Sequence, residues 1–379
     1  MTAAQVHGPR GITEEMMADA QRRLNVPMRS DDRPWHTQVT ADNAYHFARS
    51  LGDDNPLFFD GEYGAGTRWG GYIASPLFVS SMAADRLSMS SGFPGIHAWW
   101  AGSDWQFHEP LRDGDRILTT AIPVSLEVKQ GNMAGSQVLQ RVDLEYRRAS
   151  DEVLVAVQHR SVMRGARGAA TEKGKYLSTI EPKVWSDGEI EEIFDMYSAE
   201  RRRGSEPRFW EDVEVGEELA PVLKGPLTVT SEINHLIAVG GGTFTFVHKM
   251  AVDMWKKNRA LMVKTPPTNS PEFPIVVHWN DQFARSVGVP AGYDMGGERI
   301  AWMGHLMTNW MGDDGFLRSL RVELRRFNIM GDLQHCRGRV TGKREVEGRK
   351  LVDCEIWAEN QRGEITAPGA ATVELPSRA

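Results

Sequence analysis

"RIAWMGHLMTNWMG", residues 299–312, decides the fold. Ile300, Met303, Met307, Trp310 and Met311 recur at helical spacing and form one apolar stripe. Ala301, Trp302 and Leu306 make the other sides apolar too, so this helix is predicted to be enclosed rather than laid on a surface. The period then changes. "SLRVELRRF" (319–327) alternates Leu320, Val322 and Leu324 against Arg321, Glu323 and Arg325, the pattern of a half-buried strand. "LVDCEIWAEN" (351–360) alternates likewise and "GAATVELP" (369–376) follows. The turns "EVEGRK" and "ENQRGE" supply Gly where hairpins need it. A buried helix followed by an antiparallel meander is an α+β unit, a sheet wrapped around a helix.

The same plan occurs earlier in the chain. "VDLEYRR" (142–148) and "EVLVAVQHRSVM" (152–163) repeat the strand arrangement. "VTADNAYHFARSLG" (39–52) and "VTSEINHLIAVGG" (229–241) share a Thr placed to cap a helix, an acid in its first turn and Gly at its end, at an offset of 190. "FFDGEYGAGTRWGG" (58–71) pairs with "HWNDQFARSVGVPAG" (278–292) at about 220, and "PLRDGDRI" (110–117) with "FNIMGDLQH" (327–335) at 217. The jump in offset predicts an insertion in the second copy, at about 243–274, between Thr243 and Pro274. It opens with an amphipathic helix around Val247, Met250, Ala251 and Met254. It ends in "KTPPTNSPEFP", whose prolines predict an extended loop without strands, either a lid or a surface cover. The division is a first unit over 11–165, a linker with a helix over 166–205, and a second unit over 206–379. The linker opens on the small, polar "RGARGAATEKGKYLST" (164–179), and its helix spans 187–204 with a basic ERRRG end.

The formal charge of −7 argues against a general attraction to nucleic acid or anionic membrane. Cys336 and Cys354 fit neither a disulfide framework nor a zinc pattern and read as reduced core thiols. "MTAAQVHGPRG" has no apolar h-region, and no run approaches a membrane span, so a soluble, unexported, cytoplasmic protein is expected. No HExxH, paired CxxC, GxGxxG, Walker or GxSxG pattern occurs, so neither a metal nor another cofactor is expected.

"GDDNPLFFD" (52–60) then carries a resemblance. Its Gly52, Asp53, Asn55, Pro56, Leu57 and Asp60 match the corner of the MaoC-like acyl dehydratases, also called R-specific enoyl-CoA hydratases, which reads roughly G-D-x-N-P-[LI]-H-x-D. "PLRDGDRI" and "FNIMGDLQH" resemble that family's strand entry, the second without its Pro, and "AENQRGEITAPGAATVELP" its closing hairpin. The resemblance spans nearly the whole chain and implies two tandem hotdog domains forming a pseudo-dimer. It also implies an acyl-CoA thioester as partner, with a homodimer or a hetero-oligomer with another hotdog subunit as possible assemblies.

The departures bear on activity. The family's catalytic His falls on Phe58, so the first corner keeps Asp53 and Asn55 without an imidazole. In the second copy His278 takes the His position, but Phe273 and Ile275 stand where Asp and Asn belong. Gly296 matches the helix-start glycine whose N–H meets the substrate carbonyl; the first-half position is near Ser75. Adding water across an enoyl thioester needs a base on the water, a proton donor to the α-carbon and a fixed donor to the enolate oxygen. His278 and Gly296 supply two of these, and Asp281 or Asp294 is the candidate acid beside His278. His248, six residues after Gly242, and His235 are rivals to His278. The plainer readings stand beside these. Asp53 and Asn55 cap their own turn, Phe58 and Phe59 line an acyl tunnel or pack an interface, and His305 is a satisfied core residue. The expectation is a hydratase of 2-enoyl-CoA or dehydratase of 3-hydroxyacyl-CoA. A non-catalytic acyl-CoA binder or partner subunit, and an acyl-CoA thioesterase, are the alternatives.

Overall fold

A computed structural model describes residues 11–29, 34–83, 92–94, 96–131, 135–165, 180–240, 246–265 and 267–378. Its helices are α1 (Glu14–Arg22), α2 (Ala41–Leu51), α3 (Gly61–Ala65), α4 (Asp187–Ala199), α5 (Val229–Val239), α6 (His248–Lys257), α7 (Asp281–Ser286) and α8 (Gly296–Met311). Its strands are β1 (His97–Phe107), β2 (Ile117–Gly131), β3 (Gly135–Arg148), β4 (Leu154–Gly165), β5 (Val222–Lys224), β6 (Val263–Thr265) and β7 (Ser270–Glu272). β8 (Phe316–Glu323), β9 (Gln334–Val346), β10 (Arg349–Asn360) and β11 (Ile365–Glu374) complete the set. The strands other than β6 and β7 form one antiparallel sheet in the order β2-β3-β4-β1-β8-β11-β10-β9-β5. β1 and β8 join the halves, with Trp105 opposite Leu320 and Gly102 opposite Glu323. Gly102 is required there: at φ 149° a Cβ would stand 2.5 Å from the Val322 carbonyl oxygen. This is a double hotdog.

The enclosed helix is α8, whose residues from Glu298 to Met311 are all buried. Phe47 and Trp105 of the first half share one core with Ile300, Met303, Leu306 and Leu320 of the second. In the first half the matching segment is a 3₁₀ stretch, Pro76–Met82, and 84–91 lie outside the described residues. The hairpin glycines behave as their turns require, with Gly348 at φ 77° and Gly363 at φ 72°. Cys336 and Cys354 are buried free thiols on β9 and β10.

The repeat is visible in equivalent contacts. Phe58 ends a 3₁₀ turn (Pro56–Phe58) and Asp60 caps α3; His278 ends another (Pro274–His278) and Asn280 caps α7. The isolated bridges Ile73–Arg112 and Tyr293–Ile329 correspond in the same way. Three local expectations are corrected. α5 is capped by Thr228, not Thr230, because Thr228 and Ser231 close a reciprocal capping box. The insertion carries the hairpin β6–β7, since Asn269 takes a left-handed turn (φ 59°) and its N–H bonds back to Thr265. α4 stops at Ala199 because Glu200 is extended and its carboxylate accepts the Leu223 N–H; Arg202 beyond it pairs with Asp54 at 2.6 Å. The linker segment 166–179, Gly242 and Thr243 lie outside the described residues.

Candidate active site

His278 is set by its corner. The 3₁₀ turn beginning at Pro274 and the Asn280 cap fix the backbone on either side. Its Nδ1 lies 2.6 Å from the Tyr293 carbonyl oxygen, so Nδ1 carries the proton and donates, and Nε2 keeps its lone pair. Burial pushes the imidazole below its ordinary pKa, opposed by the Tyr293 carbonyl and the charge of Asp294. A neutral ring with an unprotonated Nε2 is a base.

His278 borders a cavity of about 860 Å³ between the two halves. The first half contributes Trp99, Trp100 and Trp105 of β1, Arg160 and Arg164 of β4 and Phe47 of α2. The second half contributes His278, Tyr293, Asp294 and the start of α8; Met254 and Lys257 of α6 close another side. The insertion thus forms part of the wall. Gly296 and Gly297 open α8 with no capping side chain from Met295, so their first-turn amides are available to a ligand. Gly296 is also needed for packing: a Cβ would meet Leu324 Cδ1 at 2.7 Å and Trp100 Cβ at 2.9 Å.

Neither proposed acid bonds His278 through its carboxylate, although the Asp294 backbone does bond the ring. Asp281 Oδ1 accepts the Gly292 N–H at 2.9 Å and so fastens the loop behind the histidine. Asp294 is buried against Arg299, whose Nε donates to Oδ2 at 2.6 Å, and Asn328 adds a bond at 3.2 Å. Phe273, at the position of the missing acid, packs on Trp255 of α6 with ring centroids 5.1 Å apart. An aromatic contact with the insertion occupies the acid's place.

The first corner is elsewhere. Asp53 Oδ1 accepts the Asn55 N–H, and Asn55 bonds the Leu57 N–H and the Asp313 carboxylate, so both hold their turn. Asp53 Oδ2 has no partner, and burial raises that carboxyl to about 7. Phe58 packs in a small cluster with Ala48, Leu57 and Ile73 rather than in the large cavity. His248 is exposed at the first residue of α6, away from the cavity that Met254 reaches further along. His235 does line the cavity; its Nδ1 is 3.3 Å from Ser50 Oγ and burial drives its pKa to about 3.

Two arrangements escape the sequence reading. Glu232 of α5 and Glu298 of α8 are buried in hydrogen-bonding contact at the root of α8, and Glu232 also accepts the Met295 N–H at 3.2 Å. Burial raises both, Glu232 to about 8, so this pair keeps a proton near neutrality. Each looks in sequence like an ordinary first-turn acid. The other is His305, which meets Lys224 and Asp53; only the tertiary fold brings these three together.

Residues 27–157 match the family model of the FAS1-like dehydratase domain region. No curated protein matches the chain. Among solved structures, a MaoC-like dehydratase superposes with a TM-score of 0.67 at 17% identity, covering 94% of this chain and 100% of that one. A MaoC-like dehydratase from Phytophthora capsici gives 0.53 at 11%, covering 96% and 99%. A conserved hypothetical protein from Mycobacterium tuberculosis, described as having a double hotdog fold, gives 0.56 at 13%, covering 98% and 99%. The resemblance drawn from the corner motif holds, and at these identities the likeness speaks for the fold.

Proposed function

We propose that the protein hydrates a 2-enoyl-CoA, or dehydrates the corresponding 3-hydroxyacyl-CoA, in the cavity between its halves. The observation that carries this is the convergence of His278 and the uncapped start of α8 on one large, mostly apolar space. In this reading the thioester carbonyl takes the Gly296 N–H, which holds the developing enolate oxygen. The His278 Nε2 removes a proton from water as the water attacks the β-carbon, and the imidazolium returns that proton to the α-carbon. The Tyr293 carbonyl stabilises the imidazolium in place of the usual acid, and the backbone and charge of Asp294 add to it. The aromatic wall of Trp99, Trp100 and Trp105 takes the acyl group. Bulk and low polarity are what such a wall selects for.

Incubation with 2-enoyl-CoAs of varied length, followed by mass spectrometry, tests the reading: the expected outcome is a gain of one water that is lost in His278→Ala. A second reading has a specific observation behind it. The acid position is filled by Phe273 against Trp255, which suits a protein that holds acyl-CoA for another subunit. Calorimetric binding of the same thioesters with no gain of water on any of them would favour it, and release of free CoA would instead mark a thioesterase.

A further inference from the structure

On the far side of α8 from the Trp wall lies a second cavity, of about 440 Å³, bordered by Lys224, Gly52, Ser231, Trp302, Asn309 and, at its edge, Arg202. Lys224 is buried on β5, and no carboxylate among the described residues lies within ion-pair distance of it. Its Nζ donates instead to the Leu51 carbonyl at 2.5 Å and to His305 Nδ1 at 2.7 Å. With Nδ1 accepting from Nζ, the ring proton sits on Nε2, which stands 3.7 Å from Asp53 Oδ1, an ion-pair rather than a hydrogen-bond distance, and the ring also bonds the Asn309 side chain and the Leu51 carbonyl. A nucleophile hydrogen-bonded to a base, with a carboxylate within ion-pair distance of that base, is an arrangement that can activate the nucleophile. Here its members come from three places, the corner after α2, strand β5 and helix α8.

We propose that Lys224, His305 and Asp53 form a second reactive centre, in which the Lys224 amine attacks a small polar aldehyde or ketone admitted by the 440 Å³ cavity. The step balances without a further reagent. The Nζ lone pair bonds to the carbonyl carbon, an Nζ proton passes to His305 Nδ1 and on to the carbonyl oxygen, and a carbinolamine results. Loss of that oxygen as water leaves an imine, and addition of water reverses it. Asp53, 3.7 Å from Nε2, stabilises the transient imidazolium by its charge.

The surroundings suit an uncharged amine. Burial lowers the Lys224 pKa, opposed chiefly by the charge of Glu200 after α4. Gly52 leaves the approach open: a Cβ there would stand 3.9 Å from Nζ, and nothing larger occupies the position. This centre is independent of the hydration reading, whose residues face the other cavity.

Reductive trapping tests it. The wild-type protein is incubated with glyoxylate and cyanoborohydride, and the modified lysines are identified by peptide mapping over a pH series. The expected result is labelling of Lys224 at least roughly tenfold faster than of the exposed Lys249 and Lys256, persisting to lower pH than theirs. Asp53→Asn should slow the labelling of Lys224 alone, and Lys224→Arg should abolish it while leaving enoyl-CoA hydration unchanged. Lys224 labelled no faster than the surface lysines overturns the proposal, and this wild-type comparison decides the matter even where a variant fails to fold. Loss of hydration in His278→Ala has no bearing on the trapping, so the two readings fail separately.

Discussion

A histidine whose Nδ1 proton is committed to a carbonyl can act only through Nε2, and only while neutral. The His278 ring is held this way by Tyr293, and burial keeps its pKa below the ordinary histidine value. If it is the base, the hydration rate stays level as pH falls through the usual histidine range and drops only further into acid. A rate that halves at the pKa of an exposed histidine would remove His278 from the mechanism. Replacing the ring with Ala should cost roughly 10²- to 10⁴-fold in kcat, the span of a lost general base. Asp281→Asn separates orientation from acidity: its oxygen accepts the Gly292 N–H, which an amide oxygen does equally well, so kcat should change by less than about threefold. A loss comparable to that of His278→Ala would mean the carboxylate charge itself is used. The histidine was legible in sequence because register alone points to it. Its partner was not, since a backbone carbonyl leaves no residue type to recognise.

Helix starts show where sequence patterns run out within an element. Two threonines, Thr228 and Thr230, precede the apolar run of α5, and the sequence pattern points to the second as the cap. The reciprocal bonds between Thr228 and Ser231 select the first, starting the helix a half-turn earlier. Thr228→Ala is therefore expected to lower stability by about 1 kcal/mol, whereas Thr230→Ala, inside the first turn, should change it by less than about 0.5 kcal/mol. Urea denaturation of the two variants measures the difference, and equal losses would contradict the cap. The long elements were legible because their periods are set by burial: α8 is apolar all round because the sheet surrounds it, and β8 and β10 alternate because one face is covered. The β6–β7 hairpin was not, because three residues per strand are too few to show a period and the prolines around it argue the other way.

At the scale of the whole molecule, joining β1 to β8 makes one sheet and one core, and this buries titratable groups from both halves around α8. Their shifts have opposite consequences for stability. His235 is held near 3, so it stays neutral in the fold while the unfolded chain takes up a proton; that stability is present above the ordinary histidine pKa and is lost as pH falls toward 3. Glu232 is held near 8, so the fold keeps a proton that the unfolded chain releases, and stability is lost as pH rises from the ordinary carboxylate range to 8. Asp53, raised to about 7, adds to that loss only below 7. Between pH 7 and 8 the Glu232–Glu298 pair therefore dominates among these groups, with a slope approaching 1.4 kcal/mol per pH unit for each proton retained. Glu232→Gln removes one titrating group, keeps an oxygen for the Met295 N–H, and frees Glu298 from a neighbouring charge. Urea denaturation at pH 7 and 8 should show the wild type losing stability over that interval and the variant losing markedly less. Equal slopes in the two proteins would mean that the pair is already ionised at neutrality, and that the root of α8 tolerates two negative charges side by side.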